Sequence, residues 1–231
     1  MKLAIMQPYL LPYIGYFQLI KAADRFVIYD DVNFINKGWI NRNNILVSGK
    51  AHLFTVPLIN ASQNKLIHEV AISNEPWQKK LLRTLEQSYQ KAPFYPMVFP
   101  IVENIITYQS QNISELAVFS LTEIVRYLGI DTEIVTSSRI YENDYLKSQD
   151  RILDICRKDG ATTYINPIGG MELYDKDLFR EHGVDLFFIK SKPIEYPQFK
   201  NHFVPWLSIV DVLMHNSPSQ THEFLDAYDL I

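Results

Sequence analysis

The sequence predicts an α/β fold in which a parallel sheet is flanked by helices and carries a mainly helical middle insert and a β-hairpin. Three observations lead there. The first thirty residues read strand, loop, helix, strand; residues 75–128 change to helical periodicity; and after Gly129 short β-rich runs again alternate with helical ones.

Residues 3–6 are an apolar run closed by Gln7-Pro8, which makes them a strand. Residues 13–23 have apolar side chains at 13, 14, 16, 17, 19, 20, 22 and 23, too many for a single face, so they read as a buried helix. Residues 25–29 are rich in β-formers, and the helix before them is the crossover that a parallel pair requires. Residues 43–47 and 52–57 form a hairpin about Ser48-Gly49-Lys50-Ala51.

Within 75–128, Pro76 suits a first helical turn, while Pro93, Pro96 and Pro100 are expected to interrupt the helix. Ser114 and the apolar run after it open a helix that Gly129 closes. The alternation then continues with strand 132–135, helix 148–158 ending at Gly160, strand 162–165, helical 170–182 and strand 184–189. Residues 207–215 read as a buried helix and 218–227 as a terminal one. Together these give one Rossmann-like α/β domain over 1–231, with 75–128 as an insert or subdomain. Ligands of such sheets bind outside the carboxyl ends of the strands.

Composition narrows the function. The 231 residues include only eight glycines, where average usage of ~7% would give about sixteen, and none completes a dinucleotide fingerprint or a phosphate loop. Cys156 is the single cysteine, which rules out an intrachain disulfide and a cysteine-based zinc site and fits a reducing compartment. There is no 18-residue apolar run, and Gln7-Pro8 interrupts the signal-like start, so we expect a cytoplasmic protein without a membrane span. A net charge of −4 without a long basic run argues against nucleic-acid binding. The six histidines contain no i, i+4 pair and no H-E-x-x-H, and no G-x-S-x-G occurs, so neither a histidine-based catalytic metal site nor a hydrolase elbow is expected.

The segments that follow strands carry the candidate chemistry. Gln7-Pro8-Tyr9 follows the first strand and Asp30-Asp31 the second, where one carboxylate can face a site as base or magnesium ligand, or merely end the strand with a turn. In Gly38-Trp39-Ile40-Asn41-Arg42-Asn43, Trp39 either stacks on a ring or joins the core, and Arg42 can clamp a phosphate or carboxylate. Asn166-Pro167-Ile168-Gly169-Gly170 offers bare amides to an anion at a helix start, or else a turn with positive φ. His215 reads as a helix-end histidine. Asp211 interrupts the apolar run 207–214 and must find partners, which makes it an anchor for a site.

The opening Gln7-Pro8-Tyr9-Leu10-Leu11-Pro12-Tyr13-Ile14-Gly15-Tyr16-Phe17-Gln18-Leu19-Ile20, with Tyr29-Asp30-Asp31-Val32 and Gly38-Trp39-Ile40-Asn41-Arg42-Asn43, resembles the WbqC-like family of bacterial proteins. So do Tyr164-Ile165-Asn166-Pro167-Ile168-Gly169-Gly170, Leu173-Tyr174-Asp175, Tyr196-Pro197-Gln198 and Phe203-Val204-Pro205-Trp206-Leu207-Ser208-Ile209-Val210-Asp211. The resemblance spans residues 1–215. It implies glycyl or other aminoacyl transfer onto amino sugars in O-antigen and lipopolysaccharide biosynthesis. A fainter similarity links Tyr13 to Ile20 with the H-x-G-H signature of nucleotidyltransferase-like proteins, and Ser137-Ser138-Arg139 with their second phosphate loop. Tyr13 and Tyr16 stand where that signature has histidines, and tyrosine supplies no imidazolium; alternatively Gly15 only permits close helix packing.

The leading expectation is therefore an acyl or aminoacyl transferase acting on a nucleotide-linked sugar. Asp30 or Asp31 would be the base, and Asn41 with Gly169 and Gly170 the oxyanion donors. Arg42 would hold the phosphate or carboxylate, and Trp39 and Tyr16 would stack. Gln7, Tyr13, Asn166, Tyr174, Tyr196, Gln198 and Asp211 complete the expected binding site. The acyl donor would be a nucleotide or a carrier-bound thioester, with an acyl-carrier protein as partner. The rival expectations are an acyl-adenylate reaction using Ser137, Ser138 and Arg139, and a non-catalytic sugar- or partner-binding protein.

Overall fold

The computed structural model describes residues 1–231. Six strands form the main sheet in the order β5 (Glu133–Val135), β2 (Arg25–Ile28), β1 (Lys2–Met6), β6 (Thr163–Pro167), β7 (Asp185–Ser191) and β8 (Tyr228–Leu230). The first five are mutually parallel and β8 runs antiparallel to β7. Ala4 of β1 pairs with Phe26 on one side and Ile165 on the other. A strand flanked on both sides and covered on both faces must be apolar throughout, which is why residues 3–5 alternate with no polar partner.

Successive side chains of β1 enter different layers. Ala4 joins a core with α1 (Ile14–Ala22), α2 (Trp77–Tyr89), α3 (Tyr95–Thr107), α4 (Ile113–Leu128), α7 (Ile209–His215) and α8 (Pro218–Leu225). Leu3 and Ile5 join a smaller core with α5 (Ser148–Asp159) and α6 (Lys176–Glu181). Helices thus cover both faces. From β1 the chain order runs outward through β2 to β5, then resumes on the other side of β1 with β6 and β7. That reversal opens the crevice between the carboxyl ends of β1 and β6.

The hairpin pairs β3 (Arg42–Val47) with β4 (Lys50–Thr55), Val47 opposite Lys50. Its turn is only Ser48-Gly49, two residues shorter than expected, and φ of 50° and 75° gives the twist a tight hairpin needs. The loop after β1 is fixed beneath it. Leu10 N–H donates to the Ile40 carbonyl at 3.1 Å, the Asn43 amide to the Leu11 carbonyl at 2.8 Å, and Ile209 N–H to the Pro12 carbonyl at 2.7 Å. The hairpin and the start of α7 therefore cover part of the crevice at the end of β1.

Four expectations need correction. Pro96 sits in the first turn of α3, where its missing N–H costs nothing, and Pro100 lies inside the same helix, so only Pro93 separates α2 from α3. Asn112, not Ser114, caps α4, its side chain accepting from Glu115 N–H at 3.0 Å. Residues 170–182 are one short α-helix preceded by a 3-10 turn over Ile168–Leu173. The terminal helix expected over 218–227 ends at Leu225, and residues 228–230, for which no element is expected, pair with β7 as β8, a strand too short to show a pattern of its own. No helix is long and apolar enough to cross a membrane.

Candidate functional site

The rim at the carboxyl ends of the strands holds two separate clefts. The first lies where β2 and β5 end, against α4, and has a volume of about 400 Å³. Asp30 leaves β2 almost fully buried, and its side chain collects donors from elsewhere in the chain. Ser137 donates to Oδ1 at 2.7 Å, Ser138 N–H to the same oxygen at 3.3 Å and Ser114 to Oδ2 at 3.4 Å. Arg139 Nε donates to Ser137 Oγ at 3.0 Å and lies 4.0 Å from Asp30 Oδ2, with more than half of its side chain exposed.

The Asp30 backbone carbonyl holds His68. It accepts from His68 N–H at 3.1 Å and lies 3.1 Å from Nδ1 of the same residue. A carbonyl has no hydrogen to give, so Nδ1 carries a proton and, in the uncharged form of the ring, the lone pair lies on Nε2. His68 lines the cleft together with Arg126 and Arg139. Tyr108 and Phe119, stacked at 3.8 Å between centroids, form an aromatic wall.

Asp31 points away from Asp30, as adjacent positions on an extended chain require. Ser138 Oγ and Arg151 Nη2 both donate to it at 2.5 Å, and Arg151 is buried at 4% exposure. Arg151 also lies over the Tyr29 ring at 4.9 Å and donates to Asn143. This carboxylate is neutralised inside the protein, which leaves Asp30 as the member of the pair beside the open cleft.

The second cleft, about 440 Å³, lies between the start of α1, the end of β7 and residues 203–207. Tyr13, Gly15, Ser191, Glu195 and Trp206 line it. It shares no lining residue with the first. Tyr13 and Gly15 of the segment resembling H-x-G-H line the second cleft, whereas Ser137 and Arg139 line the first.

Several other expected site residues are occupied structurally. Tyr16 is enclosed and its hydroxyl donates to the Gln7 carbonyl at 2.7 Å, so no ring face is left for a ligand. The buried Asn41 amide donates to the Val56 carbonyl at 2.8 Å rather than to an oxyanion. Arg42 Nε folds back onto the Gly38 carbonyl at 2.9 Å, and Trp39 stands half exposed; neither lines either cleft. Asn166 accepts from the Tyr164 hydroxyl at 3.2 Å, and the Tyr174 ring meets Tyr164 edge-on. Gly169 and Gly170 have no positive φ and begin no α-helix; a side chain at Gly170 would collide with Asn166. Close packing explains Gly170, and neither of the two readings expected for the pair does.

Asp211, with no exposed surface, does find partners. Tyr89 donates to Oδ1 at 2.9 Å, and Tyr196 and Gln198 donate to Oδ2 at 2.8 and 2.7 Å. Burial, reinforced by this carboxylate, pushes both phenols well above their ordinary range and keeps them as donors. His215 closes the cluster through Nδ1, 2.9 Å from the Asp211 carbonyl. Gln198 and Asp211 form a buried brace with Tyr196, which also lines the second cleft.

Reasoning from the sequence did not single out His68, Arg126, Arg151 or Trp206 for these places. His68 and Arg126 belong to no local motif, and Arg151 looks like any polar position of an amphipathic helix. No cluster of three or more His, Cys, Asp or Glu side chains has the arrangement to hold a metal ion.

Fold and clefts define an α/β protein with a mostly parallel sheet, helices on both faces, and a charged and an apolar cleft at the carboxyl ends of its strands. The WbqC-like protein family model matches residues 7–223, and the chain belongs to that family. It is 31% identical over 217 residues, 93% of each chain, to the uncharacterized protein Rv1507c of Mycobacterium tuberculosis. No solved structure matches.

Proposed function

We propose that this protein is a transferase that moves an acyl or aminoacyl group, glycyl included, onto the amino group of a nucleotide-linked sugar in surface-polysaccharide biosynthesis, and that it does so in the Asp30–His68 cleft. One observation carries the reading: His68 is held through Nδ1 by the Asp30 carbonyl, so Nε2 remains the basic atom in a cleft that also holds guanidinium groups and an aromatic wall. An attacking amine must lose a proton, and an imidazole fixed in this tautomer accepts it at neutral pH.

In this reading Arg139 binds the phosphates of the nucleotide, Arg126 being paired with Glu123, and the Tyr108–Phe119 stack receives its base. The sugar amine attacks the carbonyl carbon of a carrier thioester and loses its proton to Nε2 of His68. The carbon–sulfur bond breaks, and the thiolate leaves as the amide forms. Asp30 is a positioning residue, since its carbonyl orients the imidazole and its carboxylate fixes Ser137 and, through it, Arg139.

Incubation with a nucleotide-linked amino sugar and an acyl thioester is expected to give an amide, seen by mass spectrometry, together with one equivalent of thiol. Pyrophosphate release from ATP, magnesium and glycine would replace this reading with acyl-adenylate chemistry. No turnover under either condition would leave the binding protein.

A further inference from the structure

We propose that the cleft between Tyr13 and Trp206 is a separate binding site for an uncharged sugar ring, independent of the reaction in the other cleft. Trp206 is the principal reason. It is 72% exposed and has φ of 62°, a left-handed conformation that a non-glycine residue keeps only where the surroundings enforce it.

Those surroundings are on either side of it. Gln198 holds Val204 in both directions, accepting from its N–H at 2.7 Å and donating to its carbonyl at 3.1 Å, and is itself fixed by Asp211. Ser208 donates through N–H to the Asn44 carbonyl at 2.8 Å and through Oγ to the Leu11 carbonyl at 2.7 Å. Residues 204 and 208 are thus both anchored, and the strained residue between them presents its indole to solvent. Burial would be the default for a tryptophan with this much apolar surface.

The rest of the cleft fits a sugar better than a charged or purely apolar ligand. Tyr13 meets Trp206 at 5.9 Å with their planes 68° apart, which forms an aromatic corner against which the C–H face of a pyranose can lie. Ile194, Pro205 and Leu207 extend the apolar wall, while Ser191 and Glu195 offer oxygens to ring hydroxyls. Mostly apolar walls with a few placed polar groups are the usual composition of such pockets. Lys192 is paired with Asp229 at 2.7 Å, so the cleft has no unpaired cation for a phosphate. Gly15 lets Tyr13 and Ser191 pack directly against the start of α1, since a side chain there would run into both.

Saturation-transfer NMR and fluorescence titration with glucose, galactose, N-acetylglucosamine and adenosine, on wild type, Trp206→Ala and Arg139→Ala, test the proposal. We expect at least one sugar to bind, about tenfold or more weakly in Trp206→Ala and unchanged in Arg139→Ala. Because Trp206 is exposed, its variant should keep the wild-type melting temperature. Failure of every sugar to bind, binding that survives Trp206→Ala undiminished, or binding of adenosine alone would each overturn it. Loss of acyl transfer with sugar binding intact would bear only on the other cleft.

Discussion

The two clefts are built from the same kind of part, loops that leave the carboxyl ends of parallel strands, and differ in how the buried acid near each is satisfied. Beside the first, Asp31 meets a buried guanidinium, and Asp30 meets three serines with Arg139 4.0 Å away, so polar and charged groups continue to the surface. Behind the second, Asp211 meets two phenols and an amide, and the surface over that brace is aromatic and apolar. An acid balanced by a cation and hydroxyls leaves charged groups at the surface, where Asp30, Glu115 and Glu123 line the first cleft beside Arg126 and Arg139. One balanced by neutral donors fixes a loop without charging it.

Breaking either brace should affect its own cleft. Arg151→Met leaves Asp31 buried without its cation and should cost about 3–5 kcal/mol in chemical denaturation; a loss below about 1 kcal/mol would mean that the pair is not what fixes the Asp30–Asp31 turn. Gln198→Leu should cost about 1–3 kcal/mol. Although Gln198 does not line the second cleft, that change should also weaken sugar binding, and unchanged binding would separate the brace from Trp206.

Arg139→Ala should sharpen the contrast further. Removing an exposed side chain should leave stability within about 0.5 kcal/mol, yet weaken nucleotide-sugar binding about tenfold. The smallest effect is one of pH. Although burial raises it, hydrogen bonds from Arg157, Asn143 and Lys158 hold the Asp154 carboxyl down at about 2. Wild type should therefore exceed Asp154→Asn in stability above about pH 4 and lose that advantage as pH falls through about 2.

The parallel sheet was legible because local signals agree with the global fold, as an apolar run, a crossover helix and a β-rich run follow each other in the first thirty residues. Asp30 could be nominated because it follows a strand, and Ser137 and Arg139 because their loop resembles a phosphate-contacting one. His68 could not. It reaches Asp30 through a loop whose only sheet-like pairings are isolated bridges such as Asn33 with Leu66 and Ala71 with Asn112, and those leave no periodicity. Tyr89 reaches Asp211 across 122 positions. Tyr16 and Asn41 were misplaced for the converse reason, since a polar atom in a motif gives no sign of whether its bond is already made internally.

The central claim rests on His68 as base, and amide formation from a nucleotide-linked amino sugar and an acyl thioester tests it most directly in wild type, His68→Ala and Trp206→Ala. The account predicts that His68→Ala forms the amide about 10²–10⁴-fold more slowly at unchanged nucleotide-sugar affinity, while Trp206→Ala retains the rate. Equal rates in wild type and His68→Ala would contradict it.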